Sequence, residues 1–170
     1  MTTLKKIAIL LTIVVIGLSC KTNKYSFLNT YPEKSLPIID STNFSNHAED
    51  KLLSKEELKL LGLETIFVDQ LNDKNAKVGI SYLPKLSDDY TSVVYYFYAN
   101  NTELSSILVN YDKKHNIINH QIVAYDEIAD GLLKTTSIIY KDSIILTEYI
   151  SENPSTMKFN ILSDGNIIRE

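Results

Sequence analysis

His120 stands in Ile117-Ile118-Asn119-His120-Gln121-Ile122, a few residues ahead of Asp126, Glu127 and Asp130. An imidazole with carboxylates in reach can pass protons. The plainer arrangement is a strand histidine on a solvent face beside a charged loop. His120 shares its face with Ile118 and Ile122, and Asn119 and Gln121 leave the alternation mixed, so acid–base catalysis is not expected. Asp126-Glu127-Ile128-Ala129-Asp130-Gly131 is the densest acidic cluster. Calcium needs several oxygens at one point, and this run lacks the alternating Asp/Asn spacing of a calcium loop. A solvated acidic loop is the expectation. His47, beside Glu49 and Asp50, stands with His115 and His120 as one of three scattered histidines without cysteine partners, so no zinc pattern forms. Five glycines leave no room for a phosphate loop or a nucleophile elbow. These residues predict no catalytic group, no metal, no cofactor and no enzyme.

Tyrosine offers a different chemistry. Tyr95, Tyr96 and Tyr98 sit in Ser92-Val93-Val94-Tyr95-Tyr96-Phe97-Tyr98-Ala99. Aromatics on a curved sheet can stack on a sugar or hold an acyl chain, so these three are the candidate ligand-binding residues. The alternatives are ordinary core tyrosines, or an exposed aromatic surface that meets a partner protein.

Cys20 is the only cysteine. It follows Lys5 and Lys6, an apolar run from Ile7 to Leu18, and Ser19. As a helix that run spans roughly 18 Å, against a bilayer core of about 30 Å, so it predicts an export signal rather than a membrane-spanning helix. Gly17-Leu18-Ser19-Cys20 resembles a lipobox, with Gly17 where the common pattern has an aliphatic residue. The resemblance implies removal of residues 1–19 and acylation of the Cys20 thiol, with the bilayer as partner. An ordinary secretory signal with an incidental cysteine is the alternative. A lone cysteine can form no internal disulfide, and thioether linkage removes a thiol exposed to oxidation. More than one acyl chain anchors stably. Lys21 in place of Asp favours the outer membrane. Lys21-Thr22-Asn23-Lys24 has no acidic residue, which favours the periplasmic side over surface display.

Without Lys5 and Lys6 the formal charge falls from −4 to −6. An acidic chain without a basic stripe predicts no nucleic-acid partner. Residues 20–50 read as lipidated N-terminus and tether, with Pro32 and Pro37 keeping the chain extended and Leu36-Pro37-Ile38-Ile39-Asp40 able to dock as an edge strand. Residues 51–170 read as one β-rich domain. Ser54-Lys55-Glu56-Glu57 is a capping box that opens a short helix, and Gly62 is its stop.

Strands are expected at 65–69, 77–83, 92–99, 104–111, 117–125, 134–140, 143–150, 156–162 and 166–169, joined by short polar links such as Asn100-Asn101, Lys141-Asp142 and Ser163-Asp164-Gly165. Eleven tyrosines with abundant Ile and Val fit this composition. The fold class is therefore mainly β: an antiparallel meander forming a curved sheet or open barrel, with one short N-terminal helix. A two-sheet sandwich is the alternative.

The layout resembles small Bacteroidota-type lipoproteins, through Leu36-Pro37-Ile38-Ile39-Asp40-Ser41 ahead of the capped helix and Val109-Asn110-Tyr111-Asp112-Lys113-Lys114 at a hairpin. That resemblance implies an envelope location and no defined activity. The expected function is a membrane-anchored, non-enzymatic binding or interaction module with an envelope protein as possible partner. The alternative is a binder of a small apolar molecule or glycan in a Tyr/Ile-lined curved sheet.

Overall fold

Runs of Val, Ile and Tyr at strand spacing become one mixed sheet that does not close. The computed structural model describes residues 25–47, 51–68, 71, 75–99, 101–128, 133–151 and 153–170. Cys20 and the signal ahead of it lie outside them, as do Glu49, Asp50, Asp69, Asn100, Asp130 and Gly131. The chain divides into residues 1–30 and Tyr31–Glu170. The described part of the first unit holds a 3-10 turn, Ser26–Thr30, in which the Thr30 hydroxyl donates to the Phe27 carbonyl.

The second unit holds ten strands among the described residues. These are β1 (Glu33–Lys34), β2 (Ile38–Asp40), β3 (Lys77–Pro84), β4 (Thr91–Ala99), β5 (Glu103–Tyr111), β6 (Ile117–Glu127), β7 (Leu133–Ile139), β8 (Ser143–Ile150), β9 (Asn153–Ile161) and β10 (Ile167–Arg169). From β3 to β10 each strand pairs antiparallel with the next, which is the expected meander. β1 lies parallel to β3, and β2 lies antiparallel to β7. The unit thus takes in 31–47, residues that the sequence expectation counts with the tether.

The sheet bends where β6 meets β7. Those strands pair only at Tyr125–Thr135 and Asp126–Lys134. Beyond that point they part, and β2 occupies the released edge of β7 at Ile139, Ile138 and Ser137. A buried cluster draws on both halves: Tyr82, Val94, Leu108 and Val123 from β3–β6, and Ile38, Ile139, Ile144, Ile161 and Ile167 from the rest. Burying each such side chain contributes about 1.5–3 kcal/mol. Asn110, fully buried, links the halves: its Oδ1 accepts from the Ser92 hydroxyl (2.7 Å) and its Nδ2 donates to the Gly165 carbonyl (2.8 Å).

The other face of β3–β5 is covered by the chain flanking the helix α1 (Lys55–Leu60), through Leu53 at Val78, Leu61 at Tyr111 and Phe67 on Phe97. The Ser54–Glu57 capping box forms in both directions, and hydrogen bonding from the Ser54 backbone holds the Glu57 carboxyl below its ordinary pKa. Gly62 takes the left-handed conformation (φ 68°), as a helix stop requires. The expected strand at 65–69 is a correction. Residues Leu63–Thr65 form a 3-10 turn, because Leu63 is fully buried and Phe67 must stack on Phe97 (centroids 4.8 Å apart). Packing of these two side chains overrides local β-propensity.

Candidate functional site

The site grows from one irregularity in β3. Strict alternation would put Ile80 and Tyr82 on the same face. The register with β4 runs Ile80–Tyr95 and then Tyr82–Val94, so Ser81 is an extra residue, a β-bulge. The bulge turns Tyr82 to the opposite face, toward β2. There its hydroxyl donates to Asp40 Oδ2 at 2.7 Å. Asp40 Oδ1 accepts from the Thr42 amide (3.1 Å) and the Thr42 hydroxyl (2.6 Å). Asp40 is 3% exposed, so these donors replace water around its carboxylate. Burial, and then the Asp40 charge, raise the Tyr82 pKa well above the ordinary phenol value.

Tyr96 lies on the same face of β4, opposite Gly79 of β3. A Cβ at position 79 would overlap the Tyr96 ring at Cζ, the hydroxyl and Cε1. Glycine there lets the ring lie across β3. Gly79→Ala is expected to destabilise the unit by about 1–3 kcal/mol, because Tyr96 is 1% exposed and cannot swing freely away. Urea unfolding checks this, and an unchanged midpoint would show that the ring relocates at no cost.

His47 packs edge-on against Tyr96 (centroids 4.5 Å) and nearly parallel to Tyr98 (6.3 Å), and Phe44 meets Tyr98 edge-on at 5.5 Å. The Lys34 ammonium lies 4.0 Å from the centre of the Tyr82 ring. Lys34, Thr42, Asn46, His47, Tyr82 and Tyr96 enclose an open pocket of about 230 Å³, with the bulged Ser81 on its wall. This is small for a whole drug-sized ligand, and fits a small molecule or one unit of a longer chain. The pocket combines a cation, an imidazole, an amide and hydroxyls over the buried Tyr82 and Tyr96 rings.

The three candidate tyrosines separate. Tyr96 lines the pocket. Tyr98 stands behind His47, half-buried, with the Lys77 ammonium 5.4 Å from its ring centre. Tyr95 faces the helix side. Its hydroxyl is 2.9 Å from that of Tyr111, which donates to the Leu61 carbonyl at 3.1 Å. Burial raises the Tyr95 pKa well above the ordinary value.

The acidic run is a correction. Asp126 and Glu127 belong to β6, where they pair with Leu104 and Glu103, and are not a loop. Asp126 Oδ2 accepts from the Phe44 amide at 3.0 Å. The strand extends this far because β5 and β7 both offer it partners. His120 is exposed on the same strand, six residues from Asp126, or about 20 Å along an extended chain. Neighbouring chain desolvates its imidazole and lowers its pKa. Among the described residues no group of three His, Cys, Asp or Glu is placed to hold a metal ion, and no helix is long and apolar enough to cross a membrane.

The sequence reading missed Lys34, Thr42, Asn46 and Tyr82 as site residues. The first three come from the segment read as tether, and no local spacing signals their meeting with β3. A second cavity, about 280 Å³, opens where β6 and β7 part, lined by Ile122, Tyr125, Leu133, Leu146 and Met157 among others. Tyr125, whose hydroxyl donates to Glu127, has its pKa pushed up to about 12, chiefly by burial and then by the Glu103 charge. The chain matches no protein-family model, and no curated protein or solved structure is significantly similar to it.

Proposed function

We propose that this protein is a lipid-anchored envelope domain that binds rather than catalyses, and that it recognises a sugar unit at the Tyr82–Tyr96 pocket. The observation that carries the reading is the pocket itself: a lysine, an amide, an imidazole and hydroxyls meet at an open mouth, with the Tyr82 and Tyr96 rings buried in its floor. A few placed polar groups at an open mouth suit the hydroxyls of a sugar and fix its orientation. The anchor rests on Cys20 and the apolar run ahead of it. The periplasmic face of the outer membrane is the proposed location, and an envelope glycan or glycan-bearing protein the proposed partner.

Two measurements test this. The wild-type chain should fractionate with membranes at a lipid-modified mass, and Cys20→Ser should release it. An unmodified wild-type mass would end the anchoring reading. A glycan array probed with the Cys20→Ser protein should give binding that Lys34→Met weakens. Binding that Lys34→Met leaves intact would place the site elsewhere.

A second reading has its own observation. The cavity between β6 and β7 is walled largely by apolar side chains, which suits a small apolar molecule. Native mass spectrometry of the Cys20→Ser protein would then show an adduct that Leu133→Glu removes.

A further inference from the structure

We infer that the edge of β6 left open by β7 binds an extended segment of another protein, which pairs with it as an added strand and seats a large apolar side chain in the cavity between β6 and β7. This site stands apart from the sugar pocket, and it gives the second cavity a different occupant from a small apolar molecule.

A strand edge is a row of amides and carbonyls that another backbone matches along its length, so proteins cover their edges or keep them short. Here β1 and the Leu52–Gly79 bridge cover the free edge of β3, and the Leu53 amide donates to the Val78 carbonyl beside that bridge. β2 covers the released edge of β7. β1, β2 and β10 are themselves two or three residues long. β6 departs from this pattern. It pairs with β5 at nine positions and with β7 at two, Tyr125 and Asp126. Among the described residues no strand pairs with the second edge of 117–124. β10 approaches that edge at Asn119, whose Nδ2 lies 3.4 Å from the Ile167 carbonyl oxygen. Residues 120–124 stay open, roughly 17 Å of extended chain.

Two backbone groups there turn away from β5. The His120 amide donates to Asn119 Oδ1 at 2.7 Å, and the Ile122 carbonyl accepts from Gln121 Nε2 at 3.1 Å. Both bonds are exposed and reach only the adjacent residue. Exchanging such a bond for one to an incoming strand is close to neutral, and the strand adds apolar burial to it. The burial is on offer beside the edge. Ile122 (43% exposed) and Tyr125 of β6 meet Leu133, Leu146 and Met157 across a cavity of about 280 Å³. Side chains of a strand alternate, so one face of an added strand turns toward this space. A cavity just under the about 300–1,000 Å³ of a small-molecule cleft has room for one or two side chains.

Charge narrows the partner further. Glu148 is the one charged residue lining the cavity. Glu103 and Glu127 face each other across β5 and β6, and Glu127 accepts from the Tyr125 hydroxyl at the cavity wall. The ion pairs among the described residues include none of these three carboxylates. The segment that fits therefore carries lysine or arginine close to its apolar residue.

The experiment pans a phage-displayed library of random nonapeptides on the Cys20→Ser protein. Enriched sequences should share a large apolar residue with a basic neighbour, and a synthetic copy should slow exchange of the His120 amide. His120→Pro removes an edge donor that the β5 ladder does not use, and Leu133→Glu puts a charge in the cavity. Each should weaken the synthetic peptide by about tenfold or more. Ile39→Ser, which removes the most exposed large apolar side chain among the described residues, should leave its affinity unchanged. A last test leaves the protein untouched: N-methylation of alternate peptide amides should abolish binding in one of the two alternating sets and spare it in the other, because a paired strand uses one edge. Failure to enrich any sequence, or binding that survives Leu133→Glu, would overturn the inference. Equal effects of the two methylated sets would overturn the strand pairing and leave the cavity to a small apolar molecule.

Discussion

Raising the pH from 10 to 12 is expected to remove about 5 kcal/mol of folding stability, through Tyr82 and Tyr95 alone. Both are almost fully buried, at 2% and 0% exposed, and both have folded-state pKa values raised well above 10. The unfolded chain releases these two protons near pH 10, while the folded chain keeps them. Above pH 10 the unfolded state therefore binds fewer protons, and stability falls as pH rises, by about 1.4 kcal/mol per pH unit for each tyrosine. Below pH 10 both states hold the protons and this dependence vanishes. A loss of this size is comparable with the whole stability of a small domain, so the unit should unfold cooperatively in this range. Urea titrations at stepped pH read the slope. Tyr82→Phe and Tyr95→Phe should each lower it, whatever they do to stability at neutral pH, and a smaller slope from Tyr125, whose pKa is also raised, should persist in the double variant. Tyrosinate absorbance that rises for every tyrosine before unfolding begins would contradict the assignment.

What the sequence made legible was local. The Ser54–Glu57 box, the Gly62 stop and the strand Ser143–Ile150 depend on residues within a few positions of one another, and the structure has them. The antiparallel meander follows from short links between such strands. Bulges are different, because they are properties of a pair. Nothing in Val78-Gly79-Ile80-Ser81-Tyr82 says that Ser81 is extra until β4 lies beside it. Val123 is likewise the extra residue in β6, which explains why it and Ala124 are both buried. Without the first bulge Tyr82 would face the helix side, and the pocket would lose a wall. Tyr96 was singled out as a candidate because it lies in an aromatic run. Lys34 and His47 were not joined to it, because their partners are tens of residues away and are chosen by the sheet's bend. Phe67 shows the converse: its β-like neighbourhood was legible, and the Phe97 ring that overrules it was not.

Asp40 is where the bend and the pocket depend on a single side chain. Asp40→Ala is expected to cost about 3–4 kcal/mol, as lost hydrogen bonds to a charged group and a Tyr82 hydroxyl stranded in the interior. β2 is only three residues long, and its three pairs with β7 are its whole ladder. Without the Asp40–Tyr82 bond, what ties β2 to the β3 side is the packing of Ile38 in the core. Hydrogen exchange should therefore show β2 and residues 137–139 of β7 losing protection ahead of β4 and β5, whose nine-pair ladder does not involve Asp40. Asp40→Asn keeps an acceptor for one donor and brings two amide hydrogens into a site built for acceptors, so it should fall between wild type and alanine. The cycle of Asp40→Ala with Tyr82→Phe should be strongly non-additive, since either change alone breaks the same bond. Additive costs, or an Asp40→Ala midpoint within about 0.5 kcal/mol of wild type, would mean that the carboxylate decorates this interior and does not hold it.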